Sequence, residues 1–204
     1  MTKRGHIKLR TATIHDLPLL LHWDEQPHVI ASDPDDEWGW ASELKKTPPW
    51  REQLIAELDG RPIGFIQIID PEKEESHYWG DVQPNLRAID IWIGEPTDLG
   101  KGYGTDMMKQ AIKRCFNDPE VTAILIDPLV SNIDAIRFYK RLRFKFVERR
   151  TFGDTDCEVY KLRREKTGPL KRNDYINLTK KSHRVAPHLT ELRYETATSQ
   201  PAII

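Results

Sequence analysis

The stretch Leu99-Gly100-Lys101-Gly102-Tyr103-Gly104-Thr105 decides how this chain is read. It lies between a strand-like run, Ala88 to Ile93, and a helix-patterned run, Gly102 to Phe116. Three glycines at alternate positions let the backbone turn tightly and bring its N–H groups up to a ligand without side-chain obstruction. The helix N-terminus behind the turn adds a field that favours an anion such as a pyrophosphate. The stretch is not a P-loop, because no GK[ST] ending follows at the right spacing, and it is not the GxGxxG of dinucleotide folds.

Outward from the turn the pattern alternates. Met107, Met108, Ala111, Ile112, Cys115 and Phe116 recur at helical spacing. Val121 to Ile126 is a continuous apolar strand, of the kind buried on both faces. Ile133 to Leu142 reads as a second helix, and Phe144 to Val147 with Glu158 to Leu162 as a final pair of strands. Strand, helix, strand, helix, strand implies at least one βαβ crossover. Within Ala88 to Ile93, Asp90 and Trp92 share one face.

Upstream, Lys8 to Thr11 is a short strand, and Thr13 stands where an N-cap would, with Asp16 three residues on and Leu17, Leu20 and Leu21 behind it. Trp38 to Lys46 predicts a short helix ended by Thr47-Pro48-Pro49. Gln53 to Leu58 and Arg61 to Ile69 flank Asp59-Gly60, a dipeptide that favours a tight hairpin. Residues 70–85 read as a long polar surface loop. After about Arg164 the periodicity dissolves, and Lys166 to Ile204 is polar and basic with Pro169, Pro187 and Pro201. The expectation is one domain over residues 1–165 and a flexible basic tail over 166–204.

Composition bounds the function. The 204 residues carry 31 basic and 32 acidic side chains, a net charge of −1, which argues against a generic nucleic-acid binder. The halves differ: residues 1–100 hold 10 Lys/Arg against 19 Asp/Glu, and residues 101–204 hold 21 against 13. An acidic half and a basic half suit two ligands of opposite charge, or two faces of one site. No apolar stretch follows the basic N-terminus, so no secretory signal is expected. Apolar runs such as Ile63 to Ile69 are too short to span a membrane. Cys115 and Cys157 are isolated and lack metal-type spacing, and the seven histidines form no HxxxH or HExxH pattern. These features describe a cytoplasmic protein with no metal, no membrane and no nucleic-acid partner, and leave monomer and homodimer open.

The turn resembles the acyl-coenzyme A loop of the GCN5-related N-acetyltransferases (GNATs), whose pattern is [RQ]xxGx[GA]. Gly102 and Gly104 match it, and Leu99 replaces the usual Arg or Gln. Later family elements follow in order: a strand ending at Asp127-Pro128, then Ser131-Asn132 opening a helix with Ala135 and Tyr139, then Phe144. Arg143 stands where the family usually has Gly. A narrower similarity is to the aminoglycoside 6'-N-acetyltransferases. It is carried by Asp16-Leu17, Trp23, His28-Val29, Leu58 to Gly64, Arg87 to Asp90, and the run Phe116-Asn117-Asp118-Pro119-Glu120-Val121-Thr122.

The resemblance implies an α+β GNAT fold, a mixed central sheet flanked by helices with a βαβ coenzyme-binding core. It also implies acetyl-CoA as cosubstrate, without a metal, and direct attack of an amine on the acetyl thioester. An amine arrives as an ammonium ion at neutral pH, so a carboxylate or ordered water must take a proton. Asp90 is placed for that task and matches the acid proposed as base in the aminoglycoside enzymes. Backbone N–H groups of Ile91, Trp92 and Ile93 match the oxyanion donors. Tyr139 matches the acid that protonates the departing thiolate, and Asn132 a contact to the pantetheine arm. Leu99, Gly100, Lys101, Gly102, Tyr103, Gly104 and Thr105 match the coenzyme loop. Lys101, Lys109, Arg137 and Lys140 are candidate phosphate partners, none singled out.

Two loops stand out on the acceptor side. Asp33, Asp35, Asp36 and Glu37 sit beside Trp38 and Trp40, and Glu72, Glu74, Glu75 and Asp81 sit beside Tyr78 and Trp79. Carboxylates attract polyamines, and aromatic faces suit cations and sugar rings. Asp36, Glu37, Trp38, Tyr78, Trp79 and Asp90 are therefore the expected acceptor contacts, with an acidic solvated surface as the plain alternative. A hydroxylysine-type siderophore precursor, a protein N-terminus, and a non-catalytic acyl-CoA-binding sensor remain open as rivals to an amino-sugar acceptor.

Overall fold

The computed structural model describes residues 5–34 and 38–165. The expected tail, 166–204, and the candidate residues Asp35, Asp36 and Glu37 lie outside the described residues. The elements in chain order are β1 (Ile7–Thr11), α1 (Leu17–Asp24), α2 (Pro27–Ile30), α3 (Trp40–Glu43), β2 (Arg51–Leu58), β3 (Arg61–Ile69), β4 (Leu86–Ile93), α4 (Tyr103–Asn117), β5 (Ala123–Ile126), α5 (Ile133–Arg141), β6 (Lys145–Phe152) and β7 (Thr155–Arg163). Single 3-10 turns precede α1 and α4.

Among the described residues the strands form one seven-stranded sheet in the order β1-β2-β3-β4-β5-β7-β6. Pairing is antiparallel except between β4 and β5, the two strands joined through α4. A parallel neighbour requires a crossover, and the helix after the Gly-rich turn supplies it. The expected mixed α+β fold with a βαβ core is the observed one.

Local chemistry explains the ends of the elements. Thr13 and Asp16 form a capping box, in which the backbone N–H of Thr13 donates to the Asp16 carboxylate at 2.8 Å. Arg10 reaches the same carboxylate with both terminal nitrogens, at 2.7 and 2.8 Å, tying β1 to the start of α1. Asp59 and Gly60 both take positive φ, 50° and 87°, as a type I′ hairpin between β2 and β3 demands. The expected helix from Trp38 to Lys46 shrinks to the single turn of α3. Gly39 enters it at φ 58°, and Thr47-Pro48-Pro49 leaves no room for a second turn. The last hairpin is longer than the pattern suggests, because polar residues 148–151 extend β6 along its exposed edge.

Strand alternation sends side chains to opposite faces of the sheet. Ile55, Phe65 and Trp92 pack with Leu20, Trp23 and Trp40 under the N-terminal helices. Leu54, Ile66 and Ile93 pack with Met107, Met108, Ala111, Ile136, Phe138 and Tyr139 of α4 and α5. Both thiols are buried, and burial pushes Cys115 and Cys157 up to about 12, which leaves them as unreactive core groups.

Candidate active site

The parallel pairing of β4 and β5 stops at Ala88 opposite Leu125, while β4 runs on to Ile93. The second half of β4 therefore continues past its last registered partner on that side. A cavity of about 810 Å³ lies against this stretch. Its walls include Ile89 to Trp92 of β4, Asp127 to Leu129 after β5, and Asn132, Ala135 and Tyr139 around α5. Trp92 belongs to the core on one side of the sheet and Tyr139 to the core on the other. Opening the sheet between β4 and β5 is what lets both line one cavity.

Asp90 and Tyr139 thus line the same cavity. The Asp90 carboxylate accepts a hydrogen bond from Gln67 Nε2 at 3.0 Å. Burial holds the Tyr139 phenol above its ordinary value, and the charges of Asp90 and Asp127 push the same way, so it stays protonated at neutral pH. Asn132 caps α5, its side-chain oxygen accepting from the Ala135 N–H at 3.0 Å. That bond leaves the amide nitrogen as the end able to serve a ligand. His28 donates through Nε2 to the Ile93 carbonyl at 2.8 Å, pinning the far end of β4 to α2.

Of the acids expected on the acceptor side, Asp33, Glu74 and Asp90 reach the cavity wall, where three others join them. Asp24, Asp33, Glu43, Glu74, Asp90 and Asp127 all contribute to the lining, against Arg51, which is itself bonded to Glu43 at 2.6 Å. Asp127, like Asp24 and Glu43, is a lining residue that sequence reasoning passed over. Burial raises its carboxyl to about 6, and the hydroxyl of Tyr78, donating at 2.7 Å, opposes that rise. Trp38 also lines the cavity, stacked on Trp40 at 4.8 Å with planes 2° apart. Tyr78 and Trp79 line it too, but Trp79 is buried against Phe152 as part of a core. Of the four acids expected in the 72–81 loop, Glu74 alone contributes to the cavity wall. It turns inward to accept from the N–H groups of Ser76 and Tyr78, while Glu72, Glu75 and Asp81 are exposed.

The Gly-rich turn is a separate structure beyond the end of β4. Gly100 and Gly102 take φ of 70° and 79°, and space is open around the position a Cβ would occupy on Gly100. Leu99 precedes them, and Tyr103, Gly104 and Thr105 begin the 15-residue α4. Buried Asp98 anchors the turn. Arg61 grips it with two bonds of 2.7 and 3.0 Å, and Lys101 Nζ lies 3.4 Å away. Lys101 is thus part of the scaffold of the turn. Two other candidate phosphate partners have neighbours of their own: Arg137 lies 3.5 Å from Asp134, and Lys140 sits over the Tyr160 ring. Positive-φ glycines, open space at Gly100 and a long helix behind them fit an anionic coenzyme. Among the described residues no cluster of three His, Cys, Asp or Glu is placed to hold a metal ion, and no helix is long and apolar enough to cross a membrane.

Residues 13–152 match the family model described as an acetyltransferase (GNAT) domain. The chain belongs to the GNAT family. It is accordingly an acetyl-CoA-dependent acetyltransferase. Among its relatives, the aminoglycoside N(6')-acetyltransferase type 1 of Klebsiella pneumoniae is 33% identical over 154 residues, covering 68% of this chain and 74% of that one. The kanamycin resistance protein of Rhizobium radiobacter is 40% identical over 73 residues, covering 35% of this chain and 68% of that one. A solved aminoglycoside acetyltransferase, AAC(6')-Ib in complex with coenzyme A and kanamycin, superposes with a TM-score of 0.70 at 30% identity, covering 78% of this chain and 95% of the other. The same enzyme has also been solved with ribostamycin and coenzyme A, at a TM-score of 0.68 and 28% identity, covering 80% of this chain and 98% of that one.

Proposed function

We propose that this GNAT enzyme acetylates a primary amine of a cationic amino-sugar, the 6'-amine of an aminoglycoside, in the cavity beside β4. The observation that carries the reading is the union of six carboxylates with Trp38, Tyr78 and Trp92 in a space of about 810 Å³. That volume suits a drug-sized ligand, and clustered carboxylates favour one bearing several ammonium groups. Relatives acting on aminoglycosides support the same acceptor.

In this reading the catalytic unit is residues 1–165, and Asp90 takes the proton from the acceptor ammonium, directly or through water. Asp127 and the aromatic walls hold the rest of the polycation, so that the reacting amine is the one presented to Asp90. Acetyl-CoA supplies an acetyl group activated as a thioester. Gly100 to Thr105, the α4 N-terminus and the Asn132 amide nitrogen are the groups of this chain that would hold it. N–H groups from Ile91 to Ile93 stabilise charge developing on the acyl oxygen, and Tyr139, kept neutral by burial, is the proton donor.

The test is thiol release from acetyl-CoA with a panel of amines. Kanamycin or tobramycin should turn over, and Asp90→Asn should lower kcat by about 10² to 10³ while leaving coenzyme affinity unchanged. Turnover of a hydroxylated diamine in their place would move the acceptor to a siderophore precursor. Coenzyme binding with no amine turned over would make the protein a sensor.

A further inference from the structure

The face of the sheet that carries Asp90 also carries two buried glutamines in line with it. Gln53 on β2 stands opposite Gln67 on β3, and Gln67 stands opposite Asp90 on β4. Directly opposed residues share a face and touch. Gln53 Nε2 donates to Gln67 Oε1 at 3.1 Å, and Gln67 Nε2 donates to Asp90 Oδ2 at 3.0 Å. Gln53 and Gln67 are only 9% and 6% exposed, and their neighbours along the strands, Leu54, Ile55, Ile66 and Ile68, are apolar core. Buried amides in such a setting are costly unless each end is bonded. The next row toward the end of β4, Ile55 and Phe65 with Trp92, is apolar-packed, and the row on the other side, Arg51 and Ile69 with Ala88, places its one charge against Glu43.

The row has a direction. An ionised carboxylate only accepts, so Gln67 must turn its NH₂ toward Asp90. Its carbonyl then faces β2, where it needs a donor, and Gln53 supplies one. With an apolar residue at 53, the Gln67 carbonyl would be buried without a donor. The carboxylate alone would then have to hold the present amide orientation against the flipped form, which would satisfy no more of the buried carbonyl and aim its lone pairs at Asp90.

We propose that Gln53 and Gln67 are positioning residues, a directional amide relay that keeps Asp90 ionised and oriented toward the acceptor amine. The inference rests on Asp90 being the base. Tyr139 on α5 and Tyr78 in the 70–85 loop sense the Asp90 charge, and Asp127 after β5 and Arg51 of β2, itself paired with Glu43, line the same cavity. The N–H of Gln67 favours the ionised form of Asp90 by donating to it.

The experiment is a set of pH–rate profiles from about pH 5 to 9 for wild type, Gln53→Leu, Gln67→Leu and the double variant. Saturating acetyl-CoA and whichever amine the wild type turns over are used throughout. Gln53→Leu should lower kcat about 5- to 20-fold and move the acid limb up by about half a pH unit to one unit. The acceptor KM should stay within about twofold. Gln67→Leu should do more, and adding Gln53→Leu to it should change nothing further, because the distal residue acts only through the proximal one. If Gln53→Leu does not fold, Gln53→Met keeps the volume and offers no donor, and the same shifts are expected of it. Unmoved acid limbs in the position-53 variants, or losses that add in the double variant, overturn the relay. The parent reading fails separately: an Asp90→Asn enzyme with near-wild-type turnover removes the base, whereas an inactive Asp90→Asn beside an unshifted Gln53→Leu removes the relay alone.

Discussion

The hydroxyl of Tyr78 donates to a carboxylate oxygen of Asp127 at 2.7 Å, across 49 residues of sequence. The Tyr78 ring lies flat on Phe152, 4.4 Å between centroids and 6° between planes, yet 47% of the residue remains exposed. The bond therefore joins the 70–85 loop, the end of β5 and the β6–β7 hairpin at the wall of the acceptor cavity. It also gives an acid partly withdrawn from water a neutral donor, which is weaker compensation than a bound cation would give.

The consequence is a stability penalty with a defined pH window. Asp127 titrates at about 6 against an ordinary 3.8, so the folded state binds its proton more tightly than the unfolded chain does. Between about pH 4 and 6 this group makes stability fall as pH rises, and above that range the penalty is constant. Asp127→Asn should remove it, since an amide carbonyl still accepts from Tyr78. Thermal melts should show the variant more stable than wild type above pH 6, by on the order of 2 kcal/mol or about 5 °C, with the difference vanishing near pH 4. The acceptor KM should rise in the same protein, because the neutral amide has given up its charge.

Asp98 has the opposite sign. Its hydrogen bonds from Arg61 hold its carboxyl below the usual range, with Lys101 adding to the effect, so its stabilisation is present at neutral pH and lost as pH falls through that depressed value. Asp98→Asn should cost about 1–2 kcal/mol, less than a fully buried broken pair, because the half-exposed Arg61 can rehydrate. The coenzyme turn loses its anchor, so calorimetric titration with coenzyme A should show weaker binding, with kcat for the acceptor changed less than about twofold.

Trp38 and Trp40 stack face to face but do different work. Trp40 is 2% exposed, packs edge-on to Phe65 and belongs to the core, whereas half-buried Trp38 lines the cavity. Trp40→Ala should destabilise by about 3–5 kcal/mol in denaturant melts. Trp38→Ala should cost much less stability and should raise the acceptor KM about tenfold, leaving the coenzyme KM unchanged.

What could be read from sequence was what repeats or caps locally. The Asp59-Gly60 hairpin, the Thr13–Asp16 capping box and the helical period from Met107 to Phe116 each state their structure within a few residues. The four-residue α2 spans about one turn and leaves no period to detect. Asp127 looks like the residue after a strand, and only folding brings Tyr78 and Asp33 to it. Gln53 and Gln67 left a faint mark: Gln67 interrupts an apolar run that otherwise reads as core. An interruption of that kind shows that something polar must be met, and the partner is known only once the register is.

The last case is Arg143, which stands where the family usually has glycine. It occupies the position after the C-cap of α5 at φ 70°, in a Schellman arrangement. The Phe144 N–H donates to the Tyr139 carbonyl at 3.1 Å and the Arg143 N–H to the Lys140 carbonyl at 3.0 Å. An L-residue in the left-handed region is strained by about 1–2 kcal/mol, while glycine there brings an entropic cost of about 0.5–1 kcal/mol. Arg143→Gly should therefore stabilise the protein by roughly 0.5–1 kcal/mol, and Arg143→Val, β-branched at a left-handed position, should destabilise it. The cap fastens the backbone of Tyr139 itself, so the two variants should also differ in turnover. Glycine preserves both bonds and the wild-type kcat, and valine loosens the turn that holds the phenol in the cavity. Urea melts set beside kcat for the pair provide the check, and equal stability for glycine and valine at this position would mean that the left-handed turn is not what α5 depends on.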